Sequence, residues 1–219
     1  MNSNMKFILL FFIFVSNIIN FLVINSNALP LSDNNKFPII DVIGTITEMP
    51  KIDLPKNITI PDGHKFNFLL SAYGVQIYKC FVNNHIPNNW TLVTPDAFCI
   101  NDKHTQTFTP EFEVVHHYFS PKLINGGRIV WKSIIKNDNS LIVAKVTAQN
   151  TSPDGPSNLP WLVSQVTHHE GEGRYSEVTY VLRVNTQGGV APAAEQCGTF
   201  YPDGAIVKIP YNTDYFFIK

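Results

Sequence analysis

Beyond Phe66 the chain alternates short apolar runs with turn-forming residues as far as its C-terminus. "FNFLLSAYG" and "GVQIYKCFV" flank Gly74, and "EFEVVHHYF", "GRIVWKSII", "LIVAKVTAQ", "PWLVSQVTHH", "YSEVTYVLRV" and "AIVKIPY" follow. Within these runs the apolar period is two. In "YSEVTYVLRV" Val178, Tyr180, Leu182 and Val184 share one face, while Glu177, Thr179 and Arg183 share the other. That is the alternation of a half-buried strand with one wet side. In "LIVAKVTAQ" Ile142, Ala144, Val146 and Ala148 lie opposite Lys145, Thr147 and Gln149. "KNDNS", Lys136 to Ser140, is rich in turn formers and predicts a hairpin connection before that run. No helical periodicity extends beyond about two turns of the ~3.6-residue helical repeat. Evenly spaced short strands predict an all-β fold, either an antiparallel sandwich or a closed barrel, and the pattern fits both.

Before the strands, residues 29–63 carry Pro30, Pro38, Pro50, Pro55 and Pro61. Proline removes ladder donors and blocks helix interiors, so this stretch predicts an extended arm with at most edge strands. Residues 64–219 then form a single β domain. The N-terminal 28 residues have a different pattern. Lys6 precedes the apolar run "FILLFFIFV", and Ser26 and Ala28 place small residues where a signal peptidase reads them. Residues 1–28 are therefore expected to be a secretory signal peptide cleaved after Ala28. Asn17 and Asn20 interrupt the apolar stretch, so the ~20 continuous apolar residues of a membrane span are missing and no stable span is expected after cleavage.

Loss of Lys6 would leave 15 basic residues from 16, against 17 acidic, a net charge of about −2. A nucleic-acid partner is not expected, since it calls for a concentrated basic patch. Three sequons accompany the export signal, at Asn57, Asn89 and Asn150, and predict a surface-glycosylated protein of the secretory pathway. In that oxidising setting Cys80, Cys99 and Cys197 should leave one thiol over, and their spacing does not give the connectivity.

"GVQIYKC", "TPDA", "HHYFSP", "PWLVS", "RVNTQGGVAPAAEQC" and "IPYNTDYFF" occur in this order. Together they resemble a family of secreted fungal, plant and bacterial proteins, domain-of-unknown-function family 3455, over roughly Gly44 to the C-terminus. The resemblance implies a Cys80–Cys197 disulfide, with Cys99 an extra buried thiol. It departs at Ser120-Pro121-Lys122-Leu123, where the family tends to have Gly-Pro-Thr-Trp. Some relatives carry a malate dehydrogenase label. "GEGRYS", Gly171 to Ser176, lacks a third glycine and precedes a strand, so a nicotinamide-dependent dehydrogenase is not expected.

Four of the seven histidines come as the doublets His116-His117 and His168-His169, the second followed by Glu170. Imidazole and carboxylate suit zinc or copper. Adjacent strand residues point to opposite faces, so only one histidine of each doublet can reach a shared ion. His116, with Phe112, Val114 and Tyr118, and His168, with Leu162, Ser164 and Val166, are the candidates, with Glu170 as a third ligand. The competing expectation is that His116 and His168 are structural core residues and that His117 and His169 lie on the surface. Otherwise no cofactor is expected. No Gly-x-Ser-x-Gly elbow supports a serine hydrolase. Glu111 and Glu113 read as a solvated face rather than facing glycosidase carboxyls. Of the tryptophans, Trp131 and Trp161 read as core, and Trp90 sits within a sequon. The sequence thus points to a secreted β-rich glycoprotein, an extracellular or cell-wall module binding a polysaccharide or protein. The alternative is a small extracellular metalloenzyme using histidines from two neighbouring strands.

Overall fold

The computed structural model describes residues 40–83 and 86–219. The expected signal peptide, residues 1–28, lies outside the described residues. Eight strands form a closed barrel in which each pairs antiparallel with its sequence neighbour. They are β1 (Phe66–Asn83), β2 (Ile86–Ile100), β3 (Glu113–Ile124) and β4 (Gly127–Ser133), then β5 (Leu141–Asn150), β6 (Trp161–Glu170), β7 (Tyr180–Gly188) and β8 (Ile206–Ile218). β8 returns to β1 along a ladder from Phe66↔Ile218 to Lys79↔Ile206, which decides for the barrel over the sandwich. Among the described residues no helix is long and apolar enough to cross a membrane.

Alternation puts one face of every strand into the lumen. At one end the lumen is filled by Phe68, Leu70, Ile142, Val181 and Phe217, closed by Ile43, Tyr175 and Val178. Phe68 and Phe217 stack with ring centroids 4.6 Å apart, and the Arg174 guanidinium lies 4.5 Å over Phe68. Gly74 is not a turn. β1 runs straight through it because a Cβ there would overlap the Asp96 carbonyl and the Ala97 backbone of β2. β2 itself escapes a reading by apolar alternation, since Pro87 and Pro95 interrupt it and polar residues dominate its first half.

Beyond Ile43, which caps the lumen, the described part of the arm lies along the outside of the barrel. Ile58 is fully buried against Leu69, Trp161, Leu182, Val184 and Phe216, and Ile46, Ile52, Leu54 and Ile60 pack beside it. The Leu69 amide donates to the Ile46 carbonyl, an isolated bridge and the arm's one link to the sheet ladder among the described residues. This cover corrects the reading of β7. Tyr180, Leu182 and Val184 face outward under the arm, whereas Val178 and Val181 pack in the lumen core and Arg183 lines the lumen farther along. Within β7 the face expected to be wet is the inner one at Arg183, while Glu177, before the strand, is exposed as expected. On β5, Ile142, Ala144 and Val146 line the lumen as expected, but a bulge between Val146 and Ala148 turns Ala148 to the outer cluster.

Cys80 and Cys197 form a disulfide with Cα atoms 5.4 Å apart, tying the β7–β8 connection to the β1–β2 hairpin. Trp90 and Tyr201 pack beside it, edge to face at 5.2 Å. Cys99 is free and buried in the lumen core, and burial pushes its thiol pKa upward. On the outer wall Asp214 accepts hydrogen bonds from Ser71, Lys103 and Asn185, with the Lys103 ammonium 2.9 Å away. Asn185 adopts a φ of +51° where β7 bulges against β8, which brings its amide to that carboxylate.

Replacing Cys80 and Cys197 together by alanine reopens a loop of 117 residues. In the chain-entropy account this costs about 4–5 kcal/mol, read as a lower denaturant midpoint with a steeper slope, since the unfolded chain without the cross-link exposes more surface. An unshifted midpoint would contradict the account. Ile58→Ala should cost about 2–5 kcal/mol in the same assay if the arm folds with the barrel. A change near zero would mean that the arm detaches at no cost to the barrel.

Candidate functional site

The lumen is not filled throughout. Beyond the aromatic plug it holds a cavity of about 300 Å³ to which all eight strands contribute. Its apolar wall comes from Leu92, Phe119, Ile129, Trp131 and Leu162, with Val146, 44% exposed, at the rim. Among these stand polar side chains placed by strict alternation: Gln76 on β1, His117 on β3, Ser164 on β6, Arg183 on β7 and Tyr215 on β8. Gln76 is 1% exposed, and its Oε1 has no hydrogen-bond partner among the described residues. The Ser164 hydroxyl and the Trp131 indole nitrogen are in the same state. The Tyr215 hydroxyl is a fourth such atom, and since a buried polar atom left unpaired costs about 1–3 kcal/mol, four on residues lining one cavity mark a place for a polar guest.

His117, 2% exposed, sits between aromatic rings, stacked on Trp131 at 4.7 Å and tilted against Tyr215 at 5.1 Å. Its Nδ1 lies 2.9 Å from the Val130 carbonyl. A carbonyl can only accept, so Nδ1 carries the proton and Nε2 is left as a bare acceptor. Burial, opposed by the pull of the Val130 carbonyl and aided by the Arg183 charge, drives the histidine pKa down to about 3. Burial also raises the phenol pKa of Tyr78 and Tyr215, with Arg183 acting in the opposite direction on both. The Tyr78 hydroxyl donates to the Gly189 carbonyl at 2.7 Å, which joins the cavity wall to the disulfide-stapled connection. Arg183 Nε and Nη2 both donate to the Pro160 carbonyl, at 3.2 and 2.9 Å.

The first histidine doublet divides in the opposite sense to the core-and-surface expectation, whereas in the second His169 is exposed as expected and His168 is half-buried. His117 is the buried residue, while His116 lies on the outer wall, its Nε2 3.0 Å from Asp96 and its ring stacked on Phe98. Strand parity alone cannot tell inside from outside, and the register Ala97↔His117 and Phe98↔His116 assigns it. His116 and His168 do not meet. They lie on β3 and β6, with β4 and β5 between them. Glu170 is exposed at the end of β6, and His169 Nε2 lies 2.7 Å from the Val178 carbonyl. Among the described residues no group of three or more His, Cys, Asp or Glu side chains is arranged to hold a metal ion. The metal set His116, His168 and Glu170 is therefore not assembled, because the barrel separates the two strands that were to supply it.

Asn57 and Asn89 are exposed and Asn150 is half-buried. The Asn150 amide donates to Asn57 Oδ1 at 2.7 Å, and Asn57 in turn donates to the Gln149 carbonyl at 2.8 Å, so two of the sequons adjoin. All three tryptophans are buried, and Trp131 lines the cavity. Gln76, Ser164, Arg183 and Tyr215 lie within the segments that carry the family resemblance, but no catalytic or binding motif marks them as site residues. One signal was present: Arg183 is a lone charge inside the apolar run "TYVLRV".

A histidine that must be neutral when folded weakens the protein in acid. Its contribution is intact above the unfolded pKa of about 6.5 and is lost as pH falls from there towards about 3. The steepest loss is about 1.4 kcal/mol per pH unit. His117→Asn keeps a donor for Val130 without a titrating ring, so the stability gap between native and variant protein should narrow from pH 7 to pH 4. Denaturant unfolding at each pH measures it, and a constant gap would refute the burial argument.

No curated protein and no solved structure matches the chain. A family match does exist, to the family described as "Protein of unknown function (DUF3455)", and it covers residues 61–219, from the end of the arm through all eight strands. By that match the chain belongs to this family.

Proposed function

We propose that this is a secreted binding protein whose barrel lumen takes up a small organic molecule, largely apolar and carrying a polar group. The observation that carries the reading is the 300 Å³ cavity with Gln76 Oε1, Ser164 Oγ and Trp131 Nε1 unpartnered among the described residues. Its volume falls at the lower end of the ~300–1,000 Å³ typical of small-molecule sites, and eight-stranded barrels are wide enough for one such guest. A disulfide closing a long loop suits an oxidising compartment, which supports export. Exposure of Asn57 and Asn89 supports glycosylation at those sequons. A polysaccharide chain or a protein surface is a poorer fit than a small molecule, since the polar atoms converge inside the barrel rather than on a face.

The test uses the neutral fluorophore N-phenyl-1-naphthylamine, whose emission rises in an apolar site. Saturable one-to-one enhancement is expected with the native protein. Val146→Trp, a change at the exposed rim, should abolish it without lowering thermal stability. Absence of saturable enhancement, or its survival in the rim variant, would overturn the lumen as the site.

A further inference from the structure

Arg183 gives the lumen a charge preference. Among the described residues no aspartate or glutamate lines the cavity, and no carboxylate pairs with Arg183, the ion pairs being Lys103–Asp214, His116–Asp96 and Lys219–Glu177. His117 is neutral for the reason given above, so the guanidinium supplies the site's single charge. A partly buried cation without a counter-ion is costly, and proteins usually pair it. Its hydrogen bonds show which edge is spare. Nε and Nη2 both reach the one Pro160 carbonyl, which uses the side edge of the fork. The end edge, made by Nη1 and the second hydrogen of Nη2, has no carboxylate on it, and that edge matches a carboxylate in the bidentate geometry arginine favours.

Resting on the lumen reading, we infer that the ligand is a monocarboxylic acid, its carboxylate on the Nη1/Nη2 edge of Arg183 and its apolar body against Trp131, Phe119 and Leu162. One positive charge matches one carboxylate, whereas a phosphate dianion would leave negative charge unbalanced in an aromatic cavity. The unpartnered Gln76 Oε1 and the bare His117 Nε2 are both acceptors, so they suit an acid that also carries a hydroxyl donor. Two kinds of monocarboxylic acid fit the charge and the apolar wall, aromatic hydroxy acids and the free acids released from lipids, and the first also supplies the hydroxyl.

Calorimetry on the full chain separates them, with 4-hydroxycinnamate and decanoate as probes, each against its own neutral amide. At pH 7 at least one acid should bind about tenfold or more tightly than its amide, as expected for hydrogen bonds to a charged group. 4-Hydroxycinnamate as the tighter binder would assign the aromatic class, and decanoate the aliphatic one. Arg183→Met should erase the preference, bringing acid and amide within about threefold, while Arg183→Lys should keep part of it. N-phenyl-1-naphthylamine binding in each variant reports that the lumen is intact. Equal binding of acid and amide by the native protein, or a preference that survives in Arg183→Met, would overturn the inference while fluorophore binding leaves the lumen reading standing. Loss of fluorophore binding by the native protein would remove both.

Discussion

The pairing of β8 with β1 is the constraint on which the molecule depends. That ladder runs from Phe66↔Ile218 to Lys79↔Ile206, the full length of β8, and it closes the sheet on itself. Without it the first and last strands would each present an unpaired edge, open to association with another chain. With it the sheet acquires an inside. Gly74 belongs to the same constraint, because only a residue without a side chain lets β1 lie this close to β2 at Asp96 and Ala97. Eight strands leave a lumen that side chains can nearly fill. In this protein Phe68, Phe217 and Tyr175 fill one end, and the side chains farther along leave a cavity at the other.

The unfilled end is unusual for its polarity. An interior meant only for stability would carry aliphatic side chains at Gln76, Ser164 and Arg183, each of which lines the cavity. The backbone compensates for some of this, with the Val130 carbonyl holding His117 and the Pro160 carbonyl holding Arg183. The remainder stays unpartnered among the described residues, at Gln76, Ser164, Trp131 and Tyr215. Stability forgone at convergent buried groups is characteristic of a binding site.

Reinforcement comes from outside the barrel. The arm buries Leu182, Val184 and Phe216, so β7 and β8 are covered on both faces. At the cavity end the disulfide holds the β7–β8 connection, and Tyr78 couples that connection to the cavity wall through Gly189. The outer ion cluster around Asp214 joins Lys103, from the segment after β2, to β8. Rigid walls of this kind keep the luminal side chains in place with no ligand present.

Much of this could be read along the chain. Alternation in "LIVAKVTAQ" and "PWLVSQVTHH", the absence of helical periodicity and the resemblance over the strand region together specify an antiparallel all-β protein with a Cys80–Cys197 link. The site was far less legible. A period of two says that the faces of a strand differ, but not which one is enclosed, and so His116 was favoured over His117 and Arg183 was placed in water. Bulges such as the one at Ala148 exchange the faces partway along a strand and leave no mark in composition. Sheet closure is a long-range event joining residues about 150 positions apart, as with Phe66 and Ile218, and no local pattern encodes it. The sequence by itself therefore determined the strands, their antiparallel character and the chemistry available to them. Only the tertiary structure decided which of those side chains share an interior, because that depends on how the sheet closes and what the arm covers.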